Sequence, residues 1–250
     1  MIIKTDLNAV HQEKNQAILM VSRNVLISGK TSFKVEVPYK LIETGEKGKK
    51  PLIIYLHGYN QNLSYFEEKA EAVLELNAYH LFIQGPYPIY DTSREKQVAD
   101  WGRAWYLYDG EQSQFIKSLE ISSEFIQEIV DGLAEVIEIS RLCVIGYSMG
   151  GYLAGYFAFS RWKHVNDLIV IGGRIKTEAF EGKLDQASHL NILALHGKDD
   201  INVYPEPQEK EIKMLKKEGF KAEFQLLEEG HSLTQKYFRI AMDWLKSIGY

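Results

Sequence analysis

Cysteine is almost absent from this chain, whose 250 residues include a single one, Cys143. One thiol excludes an intramolecular disulfide and any metal cluster held by several cysteines. Cys143 lies in an apolar run over residues 142–145, where a free thiol behaves as a small apolar side chain. Long apolar runs are also missing, because none reaches the length that a membrane-spanning helix requires. We therefore expect no stable membrane insertion.

Positive charge is scarce as well, with 29 Lys and Arg against 34 Asp and Glu, a net charge of −5. The one short basic cluster, at residues 47–50, is typical of a solvated turn before a strand. A protein that binds nucleic acid or an anionic membrane surface needs a basic face, and the sequence offers none. The first residues also lack the apolar stretch of a secretory signal, so we expect a cytoplasmic protein without a nucleic-acid partner.

Apolar residues are plentiful, at 45% of the chain with 12% aromatics, which is enough for a sizeable core. No internal repeat or domain-scale linker interrupts the chain. The sequence therefore predicts a single domain over residues 1–250.

Hydrophobic periodicity predicts strands that alternate with helices. Eight strands are predicted, at residues 17–21, 33–37, 52–56, 79–83, 142–145, 168–171, 192–195 and 222–227. Helices are predicted from a capping box at Ser64 and Glu67 to about Leu76, through residues 121–137, after Ser148, from Pro205 or Pro207 to about Lys217, and at the C-terminus. A polar and aromatic loop at about 87–117 leaves room for at most a small lid. This order indicates a mostly parallel sheet with helices on both faces.

The most informative motif is Gly-x-Ser-x-Gly at residues 146–150, between the apolar run at 142–145 and a helical segment. The strand-to-helix turn is so tight that a side chain at Gly146 or Gly150 would collide with neighbouring backbone. Such a turn presents the serine hydroxyl at the end of the strand, beside a helix N-terminus that favours negative charge. Ser148 is therefore the candidate nucleophile.

A serine nucleophile needs a general base, and the base needs an orienting acid, which follow the serine in chain order as acid and then His. His231 follows the last predicted strand and precedes the final helix. Of the other histidines after Ser148, His164 and His189 are expected on the wrong side of the sheet, and His196 leaves little room for an acid. Asp199 and Asp200 both follow the strand at 192–195, and position alone does not separate them. The base is thus predicted to be His231.

An oxyanion formed by attack of Ser148 would need two hydrogen-bond donors. One is the backbone N–H of Met149, directly after the nucleophile. For the other we predict the backbone N–H of Tyr59, in the loop that follows the strand at 52–56. His57, at the start of that loop, is interpreted as a structural residue that ties the loop down.

Five blocks together resemble the phospholipase/carboxylesterase group of α/β-hydrolases, which includes the acyl-protein thioesterases. They are Leu56-His57-Gly58, Gly102-Arg103-Ala104-Trp105-Tyr106, Gly146-Tyr147-Ser148-Met149-Gly150-Gly151, His196-Gly197-Lys198-Asp199-Asp200 and Gly230-His231-Ser232. The resemblance implies an α/β-hydrolase fold with a mostly parallel eight-stranded sheet. It also implies that the acid is Asp200, the last residue of its block. Where the family usually has a small residue or glycine, this chain has Asn60.

The resemblance places Trp105 and Tyr106 beside the substrate groove, although an aromatic pair can equally pack the loop. It implies a serine esterase that acts on a small-molecule ester or thioester and requires no metal or organic cofactor. The expected reaction is hydrolysis of carboxylic esters with short- to medium-chain acyl groups through an acyl-enzyme. The alternatives are a thioesterase or a lysophospholipase, then a peptidase, or a non-catalytic binding protein on the same scaffold.

Overall fold

The computed structural model describes residues 27–29, 31 and 34–250. Residues Val35–Tyr250 form one compact unit, and the single domain over 1–250 stays a prediction. The strands are Tyr39–Glu43 (β1), Lys50–Leu56 (β2), Tyr79–Ile83 (β3), Tyr87–Pro88 (β4), Arg103–Ala104 (β5), Ile139–Tyr147 (β6), Asp167–Ile171 (β7), Asn191–Gly197 (β8) and Lys221–Leu227 (β9). The helices are Leu63–Lys69 (α1), Gln112–Ala134 (α2), Met149–Ser160 (α3), Pro205–Lys217 (α4) and Gln235–Ser247 (α5).

The main sheet has seven strands among the described residues, in the order β1-β3-β2-β6-β7-β8-β9. β1 pairs antiparallel with β3 and every other pair is parallel, which confirms the mostly parallel sheet. The predicted strand at 17–21 lies outside the described residues. The strand predicted at 33–37 is wrong for 34–37, which have no strand structure; the edge strand begins at Tyr39 instead. Alternating valines at 35 and 37 favour a strand, but only pairing with a neighbour makes one.

Both faces of the sheet are covered by helices, as predicted. Ile54 of β2 and Val144 of β6 pack into a core shared with α2, α3 and α4. Their neighbours Ile53 and Ile145 pack on the opposite face with α1 and α5. This alternation explains why the central strands are apolar at every position. No helix within the described residues is long and apolar enough to cross a membrane.

The first helix differs from the prediction at both ends. Its N-cap is Asn62, whose side-chain oxygen accepts from the Tyr65 N–H at 2.9 Å, so the capping box at Ser64 is wrong. The α-helix ends at Lys69, and a 3-10 helix at Glu71–Glu75 carries the chain on to Leu76. Asn is as good a cap as Ser, and the sequence has both within three residues.

The region predicted as a loop at 87–117 contains its own structure. β4 and β5 form a small antiparallel ladder, and α2 already begins at Gln112. This ladder docks on the loop after β2, since Arg103 N–H donates to the Gln61 carbonyl at 2.8 Å. The segment therefore braces the carboxyl edge of the sheet, where the candidate site lies.

Candidate active site

Ser148 lies in the tight turn between β6 and α3. Its backbone has φ 51° and ψ −116°, a left-handed conformation that side chains adopt only under strain. A Cβ atom at Gly146 would lie 2.1 Å from the Gly150 carbonyl oxygen, and one at Gly150 would lie 2.1 Å from the carbonyl oxygen of Leu56. The predicted need for both glycines is confirmed, and the second contact packs the N-terminus of α3 against the end of β2.

His231 lies in the loop between β9 and α5, as predicted. Its Nε2 is 2.9 Å from Ser148 Oγ, and its Nδ1 is 2.7 Å from Asp200 Oδ2. The Tyr147 ring stacks on the imidazole with centroids 5.3 Å apart. The structure thus brings Ser148, His231 and Asp200 into one hydrogen-bonded series.

Burial separates the two aspartates that follow β8. Asp199 is exposed, whereas Asp200 is only 3% exposed. Asp200 Oδ1 accepts the N–H groups of Asn202 and Val203 at 3.0 and 2.8 Å, which leaves Oδ2 for His231. A carboxylate held by two peptide donors has a fixed orientation, so it can orient the imidazole in turn.

Gly172, just after β7, is a site residue that sequence reasoning missed. Its φ is +53°, and a Cβ there would lie 3.6 Å from Asp200 Oδ2 and 3.7 Å from His231 Nδ1. Its N–H donates to the Leu195 carbonyl at 2.9 Å, which ties it to β8. The glycine pair that follows a buried strand was the available signal, since such pairs mark a close backbone approach.

The loop after β2 leaves the Tyr59 amide free among the described residues. Gly58 N–H donates to Gln61 Oε1 at 2.9 Å, and Asn60 N–H donates to the Arg103 carbonyl at 3.0 Å. Asn60 has φ 58°, where the family usually has a small residue or glycine, and asparagine tolerates this region. Met149 opens α3, where N–H groups lack an intrahelical acceptor.

His57 braces this loop and makes no hydrogen bond to Ser148. Its Nε2 accepts the Gly85 N–H at 3.0 Å, so the proton is on Nδ1, which donates to the Gly58 carbonyl at 2.8 Å. Burial lowers the pKa of the His57 imidazole to about 4. The interpretation of His57 as a structural residue is confirmed by these contacts.

Trp105 and Tyr106 lie in different surroundings in the structure. Trp105 is fully buried, packs against the His57 ring and donates its Nε1–H to the His57 carbonyl at 2.7 Å, so for this residue the loop-packing alternative is correct. Tyr106 lines a cavity of about 440 Å³ that also borders Tyr59 and Met149. The cavity therefore begins beside the two candidate oxyanion donors.

His196, the first residue of the sequence block that ends at Asp200, is a second buried histidine beside the acid. Its Nε2 is 2.8 Å from the Val203 carbonyl oxygen and 3.5 Å from Asp200 Oδ2. Burial lowers the pKa of His196 below its ordinary value, which keeps the ring neutral. The ring holds the Asp200–Val203 turn against the end of β8.

Comparison with known proteins agrees with this architecture. Residues 37–248 match the family model described as phospholipase/carboxylesterase. A search of curated protein sequences finds no significant match.

Solved structures of similar fold include three esterases and thioesterases. Esterase PE8 has a TM-score of 0.69 at 18% identity, over 86% of this chain and 100% of that one. A carboxylesterase from Bacillus cereus has a TM-score of 0.67 at 18% identity, over 84% and 94% of the two chains. Acyl-protein thioesterase 2 from Zea mays has a TM-score of 0.64 at 19% identity, over 85% and 99%. With its α/β-hydrolase fold and a family match over nearly all of the described unit, this chain belongs to the phospholipase/carboxylesterase family.

Proposed function

We propose that this chain is a serine hydrolase that cleaves carboxylic esters with short- to medium-chain acyl groups. The observation that carries the proposal is the hydrogen-bonded series from Asp200 through His231 to Ser148, at 2.7 and 2.9 Å. Nucleophile, base and orienting acid within hydrogen-bonding distance of one another are the arrangement that acyl transfer through a serine requires.

In the first half-reaction, Ser148 Oγ attacks the ester carbonyl carbon while His231 Nε2 takes the hydroxyl proton. Asp200 accepts from Nδ1–H, which fixes the tautomer that leaves Nε2 free as a base and stabilises the imidazolium that forms. His231 then passes its proton to the leaving alkoxide, and the alcohol departs from an acyl-enzyme on Ser148.

In the second half-reaction, water takes the place of the alcohol. His231 removes a proton from the water as it attacks the acyl carbon, and returns that proton to Ser148 Oγ when the acid leaves. In both tetrahedral intermediates the N–H groups of Tyr59 and Met149 donate to the oxyanion. Preorganised donors of this kind are worth about 3 kcal/mol each in the transition state.

The leaving group is a separate question from the triad, because one fold and one triad serve several leaving groups. Thioesters react by the same steps, with a thiol in place of the alcohol. An acyl thioester is thus the second candidate substrate, and a lysophospholipid is the third. Parallel assays of an oxoester and a thioester with the same acyl group distinguish the first two.

The test is covalent labelling with a fluorophosphonate probe, together with turnover of p-nitrophenyl esters from acetate to decanoate. We expect labelling of the wild-type protein, none of Ser148→Ala, and a maximum of kcat/KM at a short or medium chain. The matched control is Ser188→Ala, because Ser188 is exposed and precedes β8, away from the site. A folded wild-type protein that neither labels nor turns over any ester contradicts the proposal.

A further inference from the structure

The hydroxyl of Tyr106 lies at the wall of the cavity that borders Tyr59 and Met149. Tyr106 is only 7% exposed, and its hydroxyl makes no hydrogen bond within residues 34–250. The hydroxyl is not one of the fully buried polar atoms that lack a partner, so its accessible surface faces the cavity. Tyr59 in the same wall is 61% exposed, so its hydroxyl stays open to water when a ligand occupies the cavity. Tyr106 is therefore the wall residue whose polar group stands to gain most from a bound ligand.

The ring of Tyr106 is held firmly. It packs edge-on against Phe115 of α2 with centroids 5.0 Å apart, and it follows the buried Trp105. Phe115 also contacts the rings of Tyr108 and Tyr152, at 5.0 and 6.2 Å. A side chain fixed in this way does not turn to find a partner elsewhere, so its hydroxyl is preorganised toward the cavity.

The hydroxyl is also a neutral donor at every pH at which a hydrolase works. Burial raises the pKa of Tyr106 far above that of free tyrosine, and the nearby tyrosines 152 and 108 raise it further. Tyr108 differs, since its hydroxyl lies 3.4 Å from Gln112 Nε2. A ligand that displaces water from Tyr106 Oη therefore has to supply an acceptor, because the O–H is otherwise left unpartnered.

The cavity borders Tyr59 and Met149, which carry the proposed oxyanion donors, so it lies beside the carbonyl group of a bound ester. We propose that the cavity holds the acyl chain and selects acyl chains with an in-chain oxygen, as an ether or hydroxyl, which accepts a hydrogen bond from Tyr106 Oη. The inference rests on the proposed function, because the cavity is an acyl pocket only where Ser148 is acylated. A purely aliphatic chain leaves the hydroxyl unpartnered, and sites that hydrogen-bond a substrate discriminate against the analogue that lacks the partner.

The experiment compares p-nitrophenyl hexanoate with three isosteric esters in which oxygen replaces the methylene at carbon 3, 4 or 5. The measured quantity is the ratio of kcat/KM for each oxygen-containing ester to that for hexanoate. Comparison of this ratio between wild type and Tyr106→Phe cancels the intrinsic reactivity of the esters. We expect the ratio for at least one position to fall about tenfold in Tyr106→Phe, the usual effect of one hydrogen bond.

The matched control is Tyr156→Phe, because Tyr156 is likewise 7% exposed but packs against Phe180 and does not line the cavity. Its ratios should equal those of wild type. The inference is overturned if every ratio is the same in wild type and Tyr106→Phe. It is also overturned if Tyr156→Phe changes the ratios as much as Tyr106→Phe does.

Failure of the proposed function has a different signature. In that case the wild-type protein neither labels with the fluorophosphonate nor hydrolyses hexanoate, and the inference falls with it. Labelling and hexanoate turnover without any change of ratio overturn the inference alone.

Discussion

Two loops at the carboxyl edge of the sheet start with the same dipeptide, His57-Gly58 after β2 and His196-Gly197 at the end of β8. In both, the histidine is buried, at 1% and 0% exposure, and a ring N–H reaches a backbone carbonyl 2.8 Å away. Burial lowers the pKa of both rings, so neither carries charge at neutral pH. The imidazoles serve as neutral braces for the loops.

What the loops present to the site differs. In the loop after β2, Gly58 N–H donates to the Gln61 side chain and Asn60 N–H donates to the Arg103 carbonyl, which leaves the Tyr59 N–H free among the described residues. The loop after β8 uses the Asn202 and Val203 amides to hold the Asp200 carboxylate. One local device, a buried histidine beside a glycine, therefore supports a backbone donor in one place and an acidic side chain in the other. The neighbours of each loop decide which of these two groups it presents to the site.

The largest effect should come from the carboxylate of the second loop. We expect Asp200→Asn to lower kcat by about 10⁴, because an amide at Asp200 favours the wrong tautomer of His231. Asp199→Asn is the matched control, since Asp199 is exposed, and it should retain nearly full kcat. Steady-state kinetics with one p-nitrophenyl ester measure both. A larger loss of kcat in Asp199→Asn than in Asp200→Asn would show that Asp199, and not Asp200, is the orienting acid.

The glycines of the two loops should differ in the cost of an added methyl group. A Cβ at Gly197 would lie 2.4 Å from the carbonyl oxygen of Glu229, whereas one at Gly58 would meet side-chain atoms of Tyr147 and Gln61 at 2.8 and 3.0 Å. Backbone yields less than side chains, so Gly197→Ala should cost about 3 kcal/mol of unfolding free energy and Gly58→Ala about 1 kcal/mol. Urea denaturation measures both. Equal losses of unfolding free energy would mean that the two loops tolerate an added methyl group equally well.

Acid should weaken the fold through the buried histidines. His57 has a pKa of about 4 when folded, and an unfolded histidine titrates near pH 6.5, so the unfolded chain binds more protons between these values. Stability is thus complete above pH 6.5 and falls as the pH drops toward 4, by about 2 kcal/mol at pH 5 for this group. Urea denaturation at pH 7 and pH 5 should show a smaller difference for His57→Gln than for wild type. An unchanged difference would remove His57 as the cause.

The smallest effect on kcat should come from His196, which braces the second loop. The amide of His196→Gln can still donate to the Val203 carbonyl, whereas His196→Leu leaves that carbonyl without its donor. We expect kcat to fall less than threefold in the Gln variant and about fivefold in the Leu variant, since a lost hydrogen bond is worth about 1 kcal/mol. Identical kcat values for both variants would show that the turn holds Asp200 without His196.

Much of the site could be predicted because its chemistry is local in the sequence. The turn at Ser148 needs glycines on both sides, and both glycines can be read directly from the sequence. The position of His231 follows from chain order alone, because the last loop of a parallel sheet lies at the same edge as the others. The end of α1 and the edge strand were harder, since caps and edges depend on which of several similar residues finds a partner.

The sequence by itself determined the order of the six parallel strands and the helices between them, the candidate nucleophile and the candidate base, since these depend on periodicity and on backbone sterics. Only the tertiary structure decided between neighbours of equal chemistry. Asp200 is buried on two amides while Asp199 points to water, and Trp105 lies under His57 while Tyr106 lines the cavity. Whether a residue is buried depends on the packing of the whole sheet, so it cannot be read from two adjacent residues of the sequence.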